Sequence, residues 1–215
     1  MIGNHGKNSR FKATESEPVT MHVYDFDKNR TAEQVISIYN NGASYPLPLR
    51  HDLVMQMPSL KKKYLYYKDY KGQKITDIFD AEQLKNAIEL SVTNTATSIA
   101  MNDGDGKFTL SALPIEAQLS PTNALLIKDF NNDQHLDILL GGNFYQSKPE
   151  LGIYDGSYGL MLMGDGKGAF TALAAEKSGF QVKGAIREII NLNINNLETI
   201  IVGRNNDSVL FFKYF

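Results

Sequence analysis

An internal repeat is the feature of this sequence that most restricts its fold. The segment "VYDFDKNRTAEQVISIYNNG" (23–42) aligns with "IKDFNNDQHLDILLGGN" (127–143), and a shorter third copy, "IINLNINNLETIIVGRNN", occupies 189–206. Each copy reads as a strand, a polar loop, a second strand and then Gly or Asn. Self-similarity of this kind indicates a repeat architecture rather than a single irregular core.

Two further segments, 98–113 and 159–174, also match each other. Each alternates apolar residues on both sides of an Asp-Gly turn, which predicts β-hairpins. The chain therefore repeats a unit of four short strands. Removing the 47 residues from 44 to 90, which read differently, brings the first repeat spacing to 57, close to the 62 positions between the later copies. Repeats of this length are typical of β-propeller blades.

The predicted fold is mainly β, with about three four-stranded antiparallel blades forming a partial propeller in a single segment, 1–215. The apolar runs predict strands near 8–13, 19–24, 34–40, 97–102, 107–112, 123–128, 136–141, 158–163, 169–173, 185–190, 198–203 and 208–213. The segment 8–13 reads as an outer strand that would complete the last blade if the ring closed. Three blades fall short of the four to eight that close a propeller, so we expect the C-terminal arc of a longer propeller, or self-association that covers its open faces.

The insertion 44–90 within the first blade is predicted to be helical. Apolar residues recur at helical spacing over 50–70, and Pro58 suits the first turn of a second helix. Asp80 is a plausible N-cap before the strong helix formers of 81–90.

The polar loops of the first two copies place oxygen donors at alternate positions. In a tightly coiled loop such side chains converge on one point, and hard cations such as Ca²⁺ take six to eight oxygen ligands. The predicted ligands at positions 1, 3, 5, 7 (through the main-chain carbonyl) and 9 are Asp25, Asp27, Asn29, Thr31 and Glu33 in the first loop, and Asp129, Asn131, Asp133, His135 and Asp137 in the second.

These loops are not EF-hands, because Leu140 stands where an EF-hand has Glu and strands flank the loop. Mg²⁺ is less favoured, because it demands strict octahedral geometry. The third copy is one residue shorter and keeps only Asn191, Asn193 and Glu198, so we interpret it as structural. The alternative for all copies is that Asp and Asn merely form turns between strands.

The two loops resemble the calcium loops of FG-GAP/VCBS repeats, the blades of integrin-α-like β-propellers. "NDGDGKFTLSALPIEAQLSP", "KPELGIYDGSYGL" and "VGRNNDSVLFF" also resemble the C-terminal end of bacterial VCBS-repeat proteins of the Bacteroidetes type. The resemblance implies two calcium ions, an extracytoplasmic or cell-surface setting, and a non-catalytic role in recognition or adhesion with a protein or glycan ligand.

Composition and charge argue against some classes of binding partner, and one alternative function stays open. The net charge of −2 predicts no general affinity for nucleic acid or anionic membranes, the chain has no cysteine, and its start lacks the apolar stretch of a signal peptide. The segment "KKKYLYYKDYKGQK" (61–74) would suit nucleic acid, an anionic glycan or a protein partner, or is a solvated amphipathic helix. The competing function is a polysaccharide-processing enzyme with a site between the helical insertion and the loops.

Overall fold

A computed structural model describes residues 1–213 and shows a mainly β protein. The strands are β1 (Val19–Tyr24), β2 (Glu33–Asn40), β3 (Ala43–Pro46), β4 (Ile88–Val92), β5 (Ser98–Gly104), β6 (Lys107–Ala112), β7 (Thr122–Lys128), β8 (Asp137–Gly142), β9 (Leu160–Gly164), β10 (Phe170–Leu173), β11 (Ile186–Ile194), β12 (Leu197–Arg204) and β13 (Leu210–Lys213). The helices are α1 (Arg50–Gln56), α2 (Tyr67–Tyr70), α3 (Ile75–Ile78), α4 (Ala81–Asn86) and α5 (Ala175–Ser178), with 3₁₀ turns at Pro58–Lys61, Ile115–Gln118 and Pro149–Leu151.

The chain divides into two compact units. The smaller unit is Phe11–Thr95, and the larger unit combines Met1–Arg10 with the residues from Ala96 onward. Among residues 1–213, no helix has both the length and the hydrophobicity needed to cross a bilayer.

The smaller unit is built on one four-stranded antiparallel sheet in the order β3-β2-β1-β4. The β2–β3 connection is the two-residue turn Asn41–Gly42, in which both residues have positive φ. Such a turn matches the right-handed twist of its flanking strands. Helices α1 to α4 lie between β3 and β4 in the chain, so they are inserted into the sheet's connectivity.

A hydrophobic cluster joins this sheet to the inserted helices. Val35 of β2 is fully buried with Leu53 and Met57, and the ring of Phe26 stacks on that of Phe79 with centroids 3.9 Å apart. Because Phe26 lies two residues after the end of β1, the helical segment braces the connection between β1 and β2. Asp80 caps α4 through a 2.8 Å bond from the Gln83 N–H, which confirms the predicted N-cap.

The larger unit contains a second four-stranded sheet, which runs in simple meander order from β7 to β10. Its strand β8 is buried along its whole length. Leu139 belongs to a cluster with Ile186, Ile200 and Val202, whereas Ile138 belongs to another with Leu162. Apolar contacts on both faces explain the uninterrupted "DILLGG" sequence, which lacks the alternation of a half-exposed strand.

Strands β11, β12 and β13 form a third antiparallel sheet, and β5 and β6 form a separate hairpin. The predicted hairpins 98–113 and 159–174 are therefore confirmed as β5–β6 and β9–β10. The described strands do not form a closed barrel or propeller, and the number of strands in a sheet varies from two to four.

Two expectations about the strands were wrong. Residues 8–13 form no strand, because the N–H groups of Lys7 and Asn8 both donate to the Gln118 carbonyl and hold the chain in an irregular path. The hairpin β5–β6 does not extend the first sheet, since β4 occupies the free edge of β1 instead. Within the predicted helical insertion 44–90, the helices and a 3₁₀ turn run from 50 to 86, and the two ends of the insertion belong to β3 and β4.

Candidate metal-binding loops

The first predicted cation loop, 25–33 (loop A), connects β1 to β2. The Asp25 carboxylate accepts hydrogen bonds from the N–H groups of Asn29 (2.9 Å) and Arg30 (2.8 Å). The Asp27 side chain accepts from Asn29 N–H at 3.2 Å, and the Asn29 side-chain oxygen accepts from Thr31 N–H at 2.7 Å. These bonds turn the side chains at positions 1, 3 and 5 toward the inside of the loop.

The second loop, 129–137 (loop B), connects β7 to β8 and repeats this pattern. Asp129 accepts from the N–H groups of Asp133 (3.2 Å) and Gln134 (2.8 Å). Asn131 accepts from Asp133 N–H at 3.0 Å, and Asp133 accepts from His135 N–H at 2.8 Å. The same donor and acceptor positions are therefore used in both loops.

Position 9 closes each loop from the first residue of the following strand. A carboxylate oxygen of Glu33 accepts from Phe26 N–H at 2.8 Å in loop A, and one of Asp137 accepts from Phe130 N–H at 2.9 Å in loop B. Glu33 is only 2% exposed and Asp137 is fully buried. Both carboxylates are thus fixed beneath their loops, where they have lost most of their water.

The backbone conformation of the two loops is also the same. Positions 4 and 6 have positive φ in both, 60° and 72° at Lys28 and Arg30, and 62° and 70° at Asn132 and Gln134. Non-glycine residues adopt this left-handed conformation uncommonly, and bulky ones at a steric cost. The left-handed residues at positions 4 and 6 turn the backbone in the same way in both loops.

Loop A gathers negative charge. Asp25, Asp27 and Glu33 offer oxygen atoms that all lie within 4.8 Å of one another, the one such group of acidic or histidine side chains among residues 1–213. Burial, followed by the neighbouring Asp27 and Asp25, raises the pKa of Glu33, although the bond from Phe26 N–H opposes the shift. A cation at this point would offset the repulsion between the three carboxylates.

Loop B holds its acidic groups with more internal hydrogen bonds. The Asn131 amide donates to Asp133 at 2.8 Å, and the other carboxylate oxygen of Asp137 accepts from Gly164 N–H at 3.0 Å. The bonds from Asn131 and from His135 N–H lower the pKa of Asp133. Loop B thus has the hydrogen-bond pattern of loop A, but its three carboxylates are not grouped as closely as those of loop A.

The predicted main-chain ligands occupy position 7 of each loop. Within residues 1–213, the carbonyl oxygens of Thr31 and His135 accept no hydrogen bond. The His135 imidazole lies against Gly166, whose absent Cβ would stand 2.4 Å from the ring Nδ1. Its contribution to the predicted site would therefore come from the main chain and not from the ring.

The third copy does not form a loop of this kind. Strands β11 and β12 pair up to Ile194↔Leu197, and the turn consists of Asn195 and Asn196, both with positive φ. The Glu198 carboxylate accepts from Asn191 at 2.6 Å and from Lys128 at 2.7 Å. Asn191 and Asn193 thus lie beside Glu198 on a regular hairpin, and the Glu198 carboxylate already has Asn191 and Lys128 as partners.

Sequence reasoning missed a polar cleft of about 330 Å³ in the smaller unit. It is lined by Asn40, Asn41, Tyr45, Pro46, Tyr70, Lys71, Gly72 and Gln73. The signal in the sequence was an Asn-Asn-Gly turn followed, some thirty residues later, by a segment rich in tyrosine and lysine. Nothing in the sequence indicated that the inserted helices return to this turn.

Comparisons of the chain with protein-family models, curated proteins and solved structures found no match.

Proposed function

We propose that this chain is a non-catalytic, calcium-binding module of the FG-GAP/VCBS type, which binds one ion in loop A and one in loop B. The observation that carries the proposal is the shared architecture of the loops. Five hydrogen bonds join the same positions in both, and the two left-handed residues also coincide. Plain turns between strands have no reason to reproduce this arrangement twice in one chain.

The chemistry of the donors favours calcium. Each ionised carboxylate has about four lone-pair sites, so the N–H bonds described above leave capacity for a cation. Loop A offers three carboxylates, one side-chain amide and one carbonyl, and loop B offers the same numbers of each. Such all-oxygen sets with a backbone carbonyl match the six to eight ligands at flexible geometry that Ca²⁺ accepts.

The same proposal covers the role of the sheets and the location of the protein. We infer that the sheets β3-β2-β1-β4, β7–β10 and β11–β13 act as propeller blades, with the loops at one end of each blade's inner hairpin. Calcium would hold the first two blades rigid and present neighbouring loops to a protein or glycan ligand. An extracytoplasmic or cell-surface location, where calcium is plentiful, follows from this role.

Thermal unfolding in excess calcium and in chelator tests the stabilising role. An ion that binds only the native state adds about 2.7 kcal/mol to the free energy of unfolding at a hundredfold excess over Kd. We expect a higher melting midpoint in calcium, with a smaller effect from magnesium at the same concentration. Indistinguishable midpoints in calcium and chelator would remove the proposal for both loops.

Calorimetric stoichiometry tests the assignment of each ion. Asp133→Ala removes the position-5 carboxylate of loop B, so the number of bound ions should fall from two to one. Asn193→Ala, in the third copy, is the matched control and should leave two. A parallel loss of both ions in Asp133→Ala would show that the loops do not bind independently.

A further inference from the structure

The polar cleft of the smaller unit has rigid walls. Tyr70, at the end of α2, donates its hydroxyl to the Pro48 carbonyl at 2.8 Å and packs edge-on against Tyr64 with ring centroids 5.4 Å apart. Burial raises the pKa of Tyr70 to about 12, so its hydroxyl stays a neutral donor. On the other side, Tyr45 is held in β3 by pairing with Ile38. The cleft is therefore formed before any ligand arrives.

Its lining combines two kinds of uncharged group that bind sugars. The aromatic rings of Tyr45 and Tyr70 line the cleft, and aromatic faces carry the negative charge density onto which the C–H groups of a sugar ring pack. The amides of Asn40 and Asn41 offer paired donors and acceptors for neighbouring hydroxyls, and within residues 1–213 neither side chain has a hydrogen-bond partner. Its volume lies at the lower end of the range for small-ligand sites.

The charge of the cleft is positive. Lys71 lines it, no carboxylate does, and Lys71 forms no ion pair with any residue that the structure describes. The surrounding segment 61–74 contains six lysines and a single acidic residue, Asp69, although the whole chain carries −2. Asp69 is itself engaged by the Tyr66 N–H at 2.9 Å. A ligand with a carboxylate or sulfate group would meet an uncompensated cation here.

An aromatic platform adjoins the cleft through α2. Tyr67 begins this helix, and its ring is covered by the Arg50 guanidinium at 5.5 Å while its hydroxyl is 3.1 Å from His51 Nδ1. The neighbouring Tyr66 is 63% exposed and lies beneath the Lys68 ammonium, 5.4 Å away. Both cations lie within the distance of a cation–π interaction, and the contacts of Tyr67 with Arg50 and His51 restrict its ring.

We propose that the cleft and this platform bind an acidic oligosaccharide, with a uronic-acid or sulfated residue held by Lys71 and the next sugar over Tyr66. Nucleic acid is disfavoured, because its affinity depends on many phosphate contacts and the cleft is lined by one lysine. A membrane surface is disfavoured, because Tyr67 is tied to His51 and Arg50 and cannot project into lipid. The site shares no residue with loop A or loop B and goes beyond the calcium-binding role.

Titration of the full chain with trigalacturonate and with a sulfated trisaccharide tests this site, with maltotriose as the neutral probe. The titrations are run in chelator, because calcium cross-links polyuronates and would hide the effect. We expect both acidic probes to bind and maltotriose to bind at least tenfold more weakly. Added salt should weaken the acidic probes, because exposed charges are screened.

Matched variants distinguish binding in the cleft from a general attraction of acidic sugars to lysine side chains. Lys71→Ala should weaken trigalacturonate at least tenfold, the size of one lost charge-assisted hydrogen bond, whereas Lys107→Ala on the exposed strand β6 should not. Tyr66→Ala should weaken it, and Tyr158→Ala, an exposed tyrosine of the larger unit, should not. Unchanged melting midpoints verify that each variant is folded.

Three results would overturn the proposal. These are no binding of either acidic probe up to millimolar concentration, equal losses in Lys71→Ala and Lys107→Ala, or tighter binding of a single-stranded oligonucleotide or of phosphatidylglycerol vesicles than of the acidic sugars. Because the titrations contain no calcium, binding of the acidic sugars would not require an ion in loop A or loop B.

Discussion

Asn143 lies just after β8, and its buried side chain joins three other segments of the larger unit. Its amide nitrogen donates to the carbonyls of Ser157 (2.6 Å) and Gly184 (2.9 Å). Its oxygen accepts from the Ser120 hydroxyl at 2.7 Å and from Ser157 N–H at 3.1 Å. All four hydrogen-bonding positions of the amide are therefore used, and φ at this residue is 82°.

We predict that Asn143→Asp destabilises the fold although it hardly changes the volume. The new oxygen would face the carbonyl oxygens of Ser157 and Gly184. The two N–H bonds of the amide would be lost, and the buried carboxylate would be repelled by both carbonyls. The cost should be about 3 kcal/mol in the free energy of unfolding, measured by denaturant titration. Asn195→Asp, in an exposed turn, is the control and should stay within about 0.5 kcal/mol.

Glu33 predicts a pH dependence of loop A. Its raised pKa means that the metal-free folded state holds the proton more tightly than the unfolded chain. The protonated Glu33 side chain therefore contributes fully to the free energy of unfolding below pH 4.5, the usual pKa. This contribution is lost as pH rises through the raised pKa. Calcium requires the ionised form, so its affinity for loop A should fall when pH falls through the same range.

Melting midpoints measured from pH 4 to 7 in chelator and in calcium check this sign. The wild-type protein in chelator should lose stability relative to Glu33→Gln as pH rises, because the glutamine cannot ionise. A difference between the two proteins that does not change with pH would contradict the assignment.

At the residue scale, the sequence predicted loop positions but not long-range partners. The spacing of Asp25, Asp27 and Glu33 sufficed to bring them together, since the bonds that shape the loop are local. The role of Asn143 could not be predicted, because its partners lie 14 to 41 positions further along the chain or 23 positions before it. Side-chain contacts over such distances depend on the tertiary fold.

At the scale of elements, the third repeat shows how the loss of one residue changes a loop. Loops A and B need nine residues to coil, whereas the third copy is shorter and its strands pair closely up to the turn Asn195–Asn196. Asparagine tolerates the left-handed conformation that a two-residue hairpin turn requires at both positions. The local sequence thus selects a tight turn.

We predict that Asn196→Val weakens this hairpin without affecting calcium. A β-branched residue at φ = 62° is strained, and the cost should be about 1–2 kcal/mol in the free energy of unfolding. Denaturant titration measures the loss, while calorimetry should still find the wild-type number of ions. A changed stoichiometry would show that the third hairpin takes part in metal binding.

Local patterns also explain which strands were predicted. Eleven predicted strands lie within two residues of observed ones at their starts, because alternation and turn residues mark them. Strands β3 and β4 escaped prediction, since β3 follows a turn inside an apparent insertion and β4 pairs with β1 across more than sixty intervening residues. Pairing over such a distance is set by the fold and leaves no local pattern.

At the scale of the whole molecule, one face of the third sheet has no cover among residues 1–213. Ile190, Ile201 and Phe211 are opposite each other on successive strands, and Leu192 and Ile194 continue the same face along β11. Phe211 is 63% exposed and Leu192 is 46% exposed. An apolar surface of this kind on a soluble protein indicates an interaction site or a liability for association.

We predict that the isolated chain self-associates or binds a hydrophobic dye through this face. Leu192→Lys should reduce both effects, since a charge at the centre of the face opposes its burial, whereas Lys213→Arg keeps the charge and is the control. Light scattering and dye fluorescence measure the outcome. A monomer of wild-type sequence that binds no dye would contradict the prediction.

The tight turn at Asn195–Asn196 has a consequence for the order of assembly. Loop A gathers three carboxylates whose repulsion a bound ion would relieve, but the third hairpin closes without such a cluster, and its buried residues Ile189, Ile200 and Val202 anchor the largest apolar cluster of its unit. A newly made chain in a calcium-poor environment can therefore form this end first and keep it while the loops remain loose. In chelator, we expect slow hydrogen exchange to persist in β11 and β12 after it is lost around loop A, and uniform loss would refute this order.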